Sequence, residues 1–190
     1  NGVGKFILLS SLSVLGDITT RTVNMETPIN NPDPYGTTKL LAEMLVAEHN
    51  ETFASLAIRL PGVIGPNSVR NWLTTLMNAA QSGRRFSYFN PDAPFNNAVH
   101  VNDLSAFVCG LLARPWHGHD TVAIGARDTM PIRDVVNEVF SAFGDPGLLD
   151  LIEPPKPAFI IDSSHAQTNF GYAPMGIIDM ISRFIAENQS

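Results

Sequence analysis

Two short apolar runs, Phe6 to Leu9 and Ala54 to Leu60, flank one helix-forming segment that opens on Asp33-Pro34-Tyr35. This order constrains the fold more than any other feature of the chain. Each run is bounded by turn or polar residues and reads as a short strand, the first of them buried. Asp33 can accept a hydrogen bond from the first helical turn, and Pro34 fits the first helical position, where its missing N–H costs nothing. The spacing predicts a helix from Pro34 to about His49. Leu40, Leu41, Met44, Leu45 and Val46 make that helix apolar on more than one face, so it should be buried on two sides, one of them by a partner subunit.

The alternation continues downstream. Trp72 to Gln81 reads as a helix stopped by Gly83, Phe86 to Phe89 as a short strand, and Ala98 to Val101 as extended chain. Asp103 to Ala113 reads as a helix with Leu104, Phe107, Val108, Leu111 and Leu112 inward, and Cys109 as core packing. Thr121 to Ile124 follows as a strand. Pro131 opens a helix that Gly144 ends, and Gly176 to Glu187 forms a terminal amphipathic helix. Strands alternating with helices predict an α/β fold around a parallel sheet. The segment from Leu12 to Asp33 has no period, and a loop of that length in a compact domain is usually functional.

Composition narrows the partners. The 190 residues carry a formal charge of −6, and Arg84-Arg85 is the only adjacent basic pair, which argues against a nucleic-acid surface. No apolar run approaches the roughly 20 residues of a membrane span. One cysteine cannot close an internal disulfide, which points to a reducing compartment, the cytoplasm. His117 and His119 flank a glycine without a supporting Cys or carboxylate cluster, so a solvated loop is favoured over a metal site.

The chemistry is written in Tyr35 and Lys39. A spacing of four sets both on one helix face, one turn apart. An ammonium beside a phenol favours the phenolate and draws its pKa down from about 10 toward the range of an acid–base catalyst. A hydroxyl from Ser11, at the end of the first strand, can hold a substrate oxygen while the proton moves.

Taken in order, Phe6-Ile7-Leu8-Leu9-Ser10-Ser11, Val14-Leu15-Gly16, Tyr35 with Lys39, Arg59-Leu60-Pro61-Gly62-Val63-Ile64-Gly65-Pro66 and Val99-His100-Val101-Asn102-Asp103-Leu104 resemble the extended short-chain dehydrogenase/reductases, the NAD-dependent epimerase/dehydratase group. The resemblance implies the C-terminal portion of a Rossmann-like parallel sheet with a small α/β substrate-binding lobe. It divides the chain into a partial NAD(P)-binding portion (1–66), a substrate-lobe segment (67–100), a return to the Rossmann portion (101–125) and a C-terminal lobe with a closing helix (126–190). It implies Ser11, Tyr35 and Lys39 as catalytic residues. Ser10, Tyr35, Lys39, Pro61, Gly62 and Val63 are implied on the cofactor, and Ser11, Asn96 and Asn97 on the substrate. The cofactor would be NAD or NADP. Relatives pair through the Tyr35 helix, which implies a homodimer with Leu41, Met44 and Leu45 near the two-fold.

The implied reaction is hydride transfer to or from a carbonyl or secondary alcohol, such as a sugar derivative. Reductase, epimerase and dehydratase outcomes all stay open. The alternative is a dinucleotide-sensing or scaffold protein on the same fold without catalysis. Several positions depart from the family pattern. The Gly-rich phosphate loop is missing, since Gly2-Val3-Gly4 precedes a strand instead of following one. The chain is therefore expected to be part of a longer protein and to bind a dinucleotide weakly by itself. Leu15 replaces a Tyr, Gly62 replaces an Asn, and Asn96 stands where nucleotide-sugar enzymes carry an Arg. Without that Arg, the substrate is expected to be smaller or less charged than a nucleotide sugar.

Overall fold

The structure is a computed structural model that describes residues 2–49 and 53–189, so Asn1 of the opening lies outside it. The chain starts on β1 (Lys5–Ser11), makes a 3-10 turn at Leu12–Leu15, and crosses β2 (Thr22–Val23) before α1 (Pro34–Glu48). Asp33 caps α1 as expected, accepting from the Gly36 N–H at 2.6 Å. β3 (Ala54–Leu60) and β4 (Gly62–Ile64) follow, then α2 (Trp72–Gln81), β5 (Phe86–Tyr88), β6 (Pro94–Phe95) and β7 (Ala98–His100). α3 (Val101–Ala113) leads to β8 (His119–Ala123), β9 (Met130–Pro131) and α4 (Ile132–Phe143). β10 (Leu149–Leu151), β11 (Ile160–Ile161), α5 (Ser164–Phe170) and α6 (Ile177–Asn188) complete the described chain.

β1, β3 and β8 form a parallel three-stranded sheet in that order. Strand alternation sends Leu56 and Ile58 of β3 to one face, where they pack with Leu104, Phe107 and Leu111 of α3 and Ala166 and Phe170 of α5. The opposite face carries Ser10 and Arg59 under α1. A second core joins α2, α4 and α6 around Leu76, Val136, Phe140 and Phe184, all fully buried. The last 65 residues therefore divide among three clusters, with α5 on the sheet, α4 and α6 in the helical layer, and Ile161 of β11 packed with Leu15 and Val23.

Two linkages tie the layers together. His100 is wholly buried. Its Nδ1 accepts from the Asn102 N–H, so Nε2 carries the proton and donates to Glu187 Oε2 at 2.9 Å. Hydrogen bonds from Arg183 and His100 hold the Glu187 carboxyl below the usual carboxylate range, and α6 is clamped to the β7–α3 junction. At the other end of α3, Lys5 donates to the carbonyls of Leu112 at 2.6 Å and Arg114 at 2.8 Å, satisfying acceptors that the helix leaves open.

Several expectations change. Cys109 is exposed instead of packed, and so is Leu112, at 56 %. The buried stripe of α3 runs through Leu104, Phe107 and Leu111, and at about 100° per residue Leu112 points about 80° and Cys109 about 140° away from Leu104. The helix itself starts at Val101, with His100 as its cap. The segment from Leu12 to Asp33 holds a 3-10 turn and β2, which pairs with the distant β11. On α1 only Gly36 and Glu43 are buried, while Leu41, Met44 and Leu45 are more than half exposed. Among the described residues, no helix is long and apolar enough to cross a membrane.

Candidate active site

The parallel strands deliver their C-terminal ends to one edge, where β1 ends in Ser10 and Ser11. Adjacent residues of a strand face opposite ways, and here that separates the two hydroxyls. Ser11 Oγ accepts from the Ser13 N–H at 3.1 Å and donates to Ser13 Oγ at 3.2 Å, which pins it at the start of the 3-10 turn. Ser10 turns under α1, is buried, and donates to Glu43 Oε1 at 2.5 Å. The cofactor role implied for Ser10 is thus not what its side chain does, because the pleat aims it into the sheet–helix interface.

Gly36 brings the second element in. A methyl group at this position would lie 2.1 Å from the Ser13 carbonyl oxygen, so only glycine lets the first turn of α1 sit this close to the Ser11–Ser13 segment. Tyr35 is the neighbouring residue and is 53 % exposed. Lys39 lies one turn on, its Nζ 5.8 Å from the centre of the Tyr35 ring. That ammonium donates to the Leu9 carbonyl at 2.9 Å, so α1 is tied to β1 within two residues of Ser11. Ser11, Tyr35 and Lys39 are therefore carried by two elements joined at two points, Gly36 on Ser13 and Lys39 on Leu9.

A buried ion pair braces the same two elements from beneath. Glu43, one turn beyond Lys39, takes Arg59 of β3 through Nη2–Oε2 at 2.8 Å and Nε–Oε1 at 3.2 Å, with Ser10 on the same carboxylate. No role was assigned to Glu43, Arg59 or Ser13 from the sequence. An Arg inside an otherwise apolar strand was the signal available for the first two. The Ser-x-Ser spacing was the signal for the third.

Pro61, Gly62 and Val63 follow β3 directly, and Ser11 is in register with Leu60. Gly62 lies on the wall of a cavity of about 410 Å³ between β4, α2 and residues 88–98. Asn97 reaches this cavity. Asn96, expected beside it on the substrate, does not: its carboxamide donates to Ile161 O at 2.8 Å and Ala126 O at 3.3 Å, and accepts from the Ile161 N–H at 2.8 Å. It is a buried latch between three segments, in the two-residue link between β6 and β7. His119, weighed above as a metal ligand, hydrogen-bonds Ser55 Oγ at 2.8 Å, and burial lowers its pKa. Among the described residues no group of three or more potential ligands gathers around a common point.

The family model for the NAD dependent epimerase/dehydratase family matches residues 1–125. The chain belongs to the NAD-dependent epimerase/dehydratase family. No curated protein matched it by sequence. Solved structures of similar fold include a dTDP-glucose 4,6-dehydratase from Bacillus anthracis in complex with NAD, at 16 % identity and a TM-score of 0.78, which covers 97 % of this chain and 61 % of its own. A UDP-glucose 4-epimerase shares 18 % identity at a TM-score of 0.78, over 98 % of this chain and 65 % of its own. A UDP-glucuronic acid 4-epimerase from Bacillus cereus in complex with NAD shares 21 % identity at a TM-score of 0.78, over 96 % and 59 %. The chain therefore spans less than two thirds of each of these proteins. The family's Rossmann-type parallel α/β fold is the one described above.

Proposed function

We propose that the full-length protein is an NAD(P)-dependent enzyme of the extended short-chain dehydrogenase/reductase type, acting on a carbonyl or a secondary alcohol. The observation that carries this reading is the approach of Tyr35 and Lys39 to the Ser11 turn, fixed by Gly36 against Ser13 and by Lys39 on Leu9.

The chain's residues fit the nicotinamide end of a dinucleotide. An ammonium has three protons, and the bond to Leu9 uses one of them, which leaves Lys39 able to hold a vicinal diol such as a ribose. Pro61, Gly62 and Val63 are half-buried, follow Leu60, which pairs with Ser11, and would border the ring. When bound, the nicotinamide supplies or accepts the hydride. In the reducing direction the Tyr35 hydroxyl gives its proton to the carbonyl oxygen, and in the oxidising direction it takes that proton back. Lys39 stabilises the phenolate left behind. Ser11 turns its hydroxyl from the 3.2 Å contact with Ser13 to the substrate oxygen, holding it in line with Tyr35.

The direct test supplies full-length enzyme with NAD(P)H deuterated at the transferable position and a panel of carbonyl compounds. Deuterium should appear on the carbinol carbon of one product, at a rate that depends on Tyr35. Binding of the dinucleotide with no transfer to or from any substrate would favour a sensor instead.

The exposed face of α1 suggests the assembly. Leu41, Met44 and Leu45 are 56, 61 and 52 % exposed on one helix, and pairing two copies would remove that apolar surface from water. Light scattering should show a dimer that Met44→Glu/Leu45→Glu converts to monomer. A protein that is monomeric at every concentration would exclude this interface.

A further inference from the structure

The cavity behind Gly62 has a composition that selects among substrates. Aromatic rings of Trp72, Tyr88, Phe89 and Phe95 and the aliphatic side chains of Ile64 and Ile132 form its walls. Among the described lining residues the one charged side chain is Lys156, which is exposed at the rim. We propose that this cavity binds the ring of an uncharged aromatic ketone or the matching secondary alcohol, through a ring-borne hydroxyl, and excludes a nucleotide sugar. The proposal rests on the reading of Ser11, Tyr35 and Lys39 as the catalytic group, because it uses their position to say which part of the substrate enters the cavity.

Location comes first. Ser11 pairs in register with Leu60, and Gly62 begins the cavity wall two residues later, so a molecule whose reacting carbon sits at Ser11 extends its remainder past Gly62. Charge comes second. A diphosphate carries two negative charges into the pocket, and burying them requires fixed cations, usually Arg forks. Three arginines of the neighbouring segments pair with carboxylates, Arg133 with Asp92, Arg127 with Asp128 and Arg85 with Asp150, and Arg70, beside Asn71, is exposed and is not among the residues that line the cavity. The position where an Arg was expected holds Asn96, whose carboxamide is consumed by three main-chain bonds.

The polar groups of the wall specify the rest. Asn71 spends both ends of its carboxamide, donating to Val63 O and accepting from the Thr74 N–H. Asn90 donates to Lys156 O. Asn97 Oδ1 is buried and has no partner. An acceptor left so costs free energy until a donor reaches it, and a ligand O–H supplies one when the Asn97 carboxamide turns toward the cavity. Gly62 keeps the route open: a methyl group there would lie 3.2 Å from Asn71 Cβ and 3.8 Å from the Asn97 carbonyl, so any larger side chain grows between the two Asn residues into the mouth. The ligand is thus flat, largely apolar, uncharged and a hydrogen-bond donor, matching rings that stack on Trp72 and Phe95.

All of these residues lie in the cavity itself, so binding can be measured on the full-length protein without cofactor or turnover. The part of the tryptophan fluorescence that Trp72→Phe removes reports directly on the cavity. 4-Hydroxyacetophenone should quench it saturably and bind at least about tenfold tighter than UDP-glucose. Asn97→Ala should weaken the probe about tenfold, and acetophenone, which lacks the hydroxyl, should lose a similar factor on the parent chain. Gly62→Asn, with its fold checked by thermal melting, should abolish saturable quenching. UDP-glucose binding as tightly as the probe, or the probe binding with equal affinity to the parent and to Gly62→Asn, would overturn the proposal. Loss of catalysis is not read here, so a failure of the Tyr35 mechanism and a failure of this binding site give separate results.

Discussion

Arg59→Met will destabilise the chain by about 3–5 kcal/mol, because it leaves the Glu43 carboxylate buried without its counter-charge. Both side chains are under one tenth exposed, and the carboxylate is shared with Ser10 at 2.5 Å. A surface pair would be worth a fraction of this. The energy does not come from a net attraction, since taking both charges out of water costs about as much as their attraction returns. It comes from the one-sided loss. The double variant Glu43→Leu/Arg59→Met should therefore recover most of the stability, which no additive scheme predicts. For a chain of this size the single variant should melt roughly 10 °C lower. Denaturant titration of the four forms of the cycle decides it. A single Arg59→Met variant that melts with the parent would show that water reaches the pair. The pair also sets the register of α1 on β1 and β3, so Arg59→Lys should keep the charge and lose part of the stability, because its point charge cannot reproduce the two-pronged contact.

Tyr35→Phe will slow turnover of the full-length enzyme by about 10² to 10⁴, the usual cost of removing a positioned acid–base group. The ring stays, so its packing on α1 and the position of Lys39 are kept, and cofactor affinity should change little. Lys39→Met should act differently. It removes the cation that favours the phenolate and also the donor to Leu9 and to a bound diol, so both turnover and cofactor affinity should fall. Steady-state kinetics with a separate cofactor titration distinguishes the two patterns. Near-normal turnover in Tyr35→Phe would remove Tyr35 from the mechanism.

Part of the candidate site's geometry was legible in the sequence. Tyr35 and Lys39 share a face because helical period alone puts residues four apart together, and Asp33 with Pro34 announces where that helix begins. β1, β3, α2 and α4 were legible for the same reason: their signals lie within ten or so neighbouring residues.

Contacts between distant segments were not legible. A Ser-Ser pair at a strand end says that one hydroxyl faces each side, but only the packing of α1 says that Ser10 is the one taken by Glu43. Asn96-Asn97 poses the same choice, and β11 decides it by supplying the main-chain partners for Asn96. The two-residue strands β2 and β11 carry no pattern of their own and exist through each other. Cys109 and Leu112 have apolar neighbours in sequence, yet α3 is covered on one side only, and they fall on the other. The local sequence determined which elements form and which face of each is apolar, because period and capping act over a few residues. Tertiary structure alone decided what covers each face and which polar groups meet beneath it, because those partners come from 16 to more than 100 residues away.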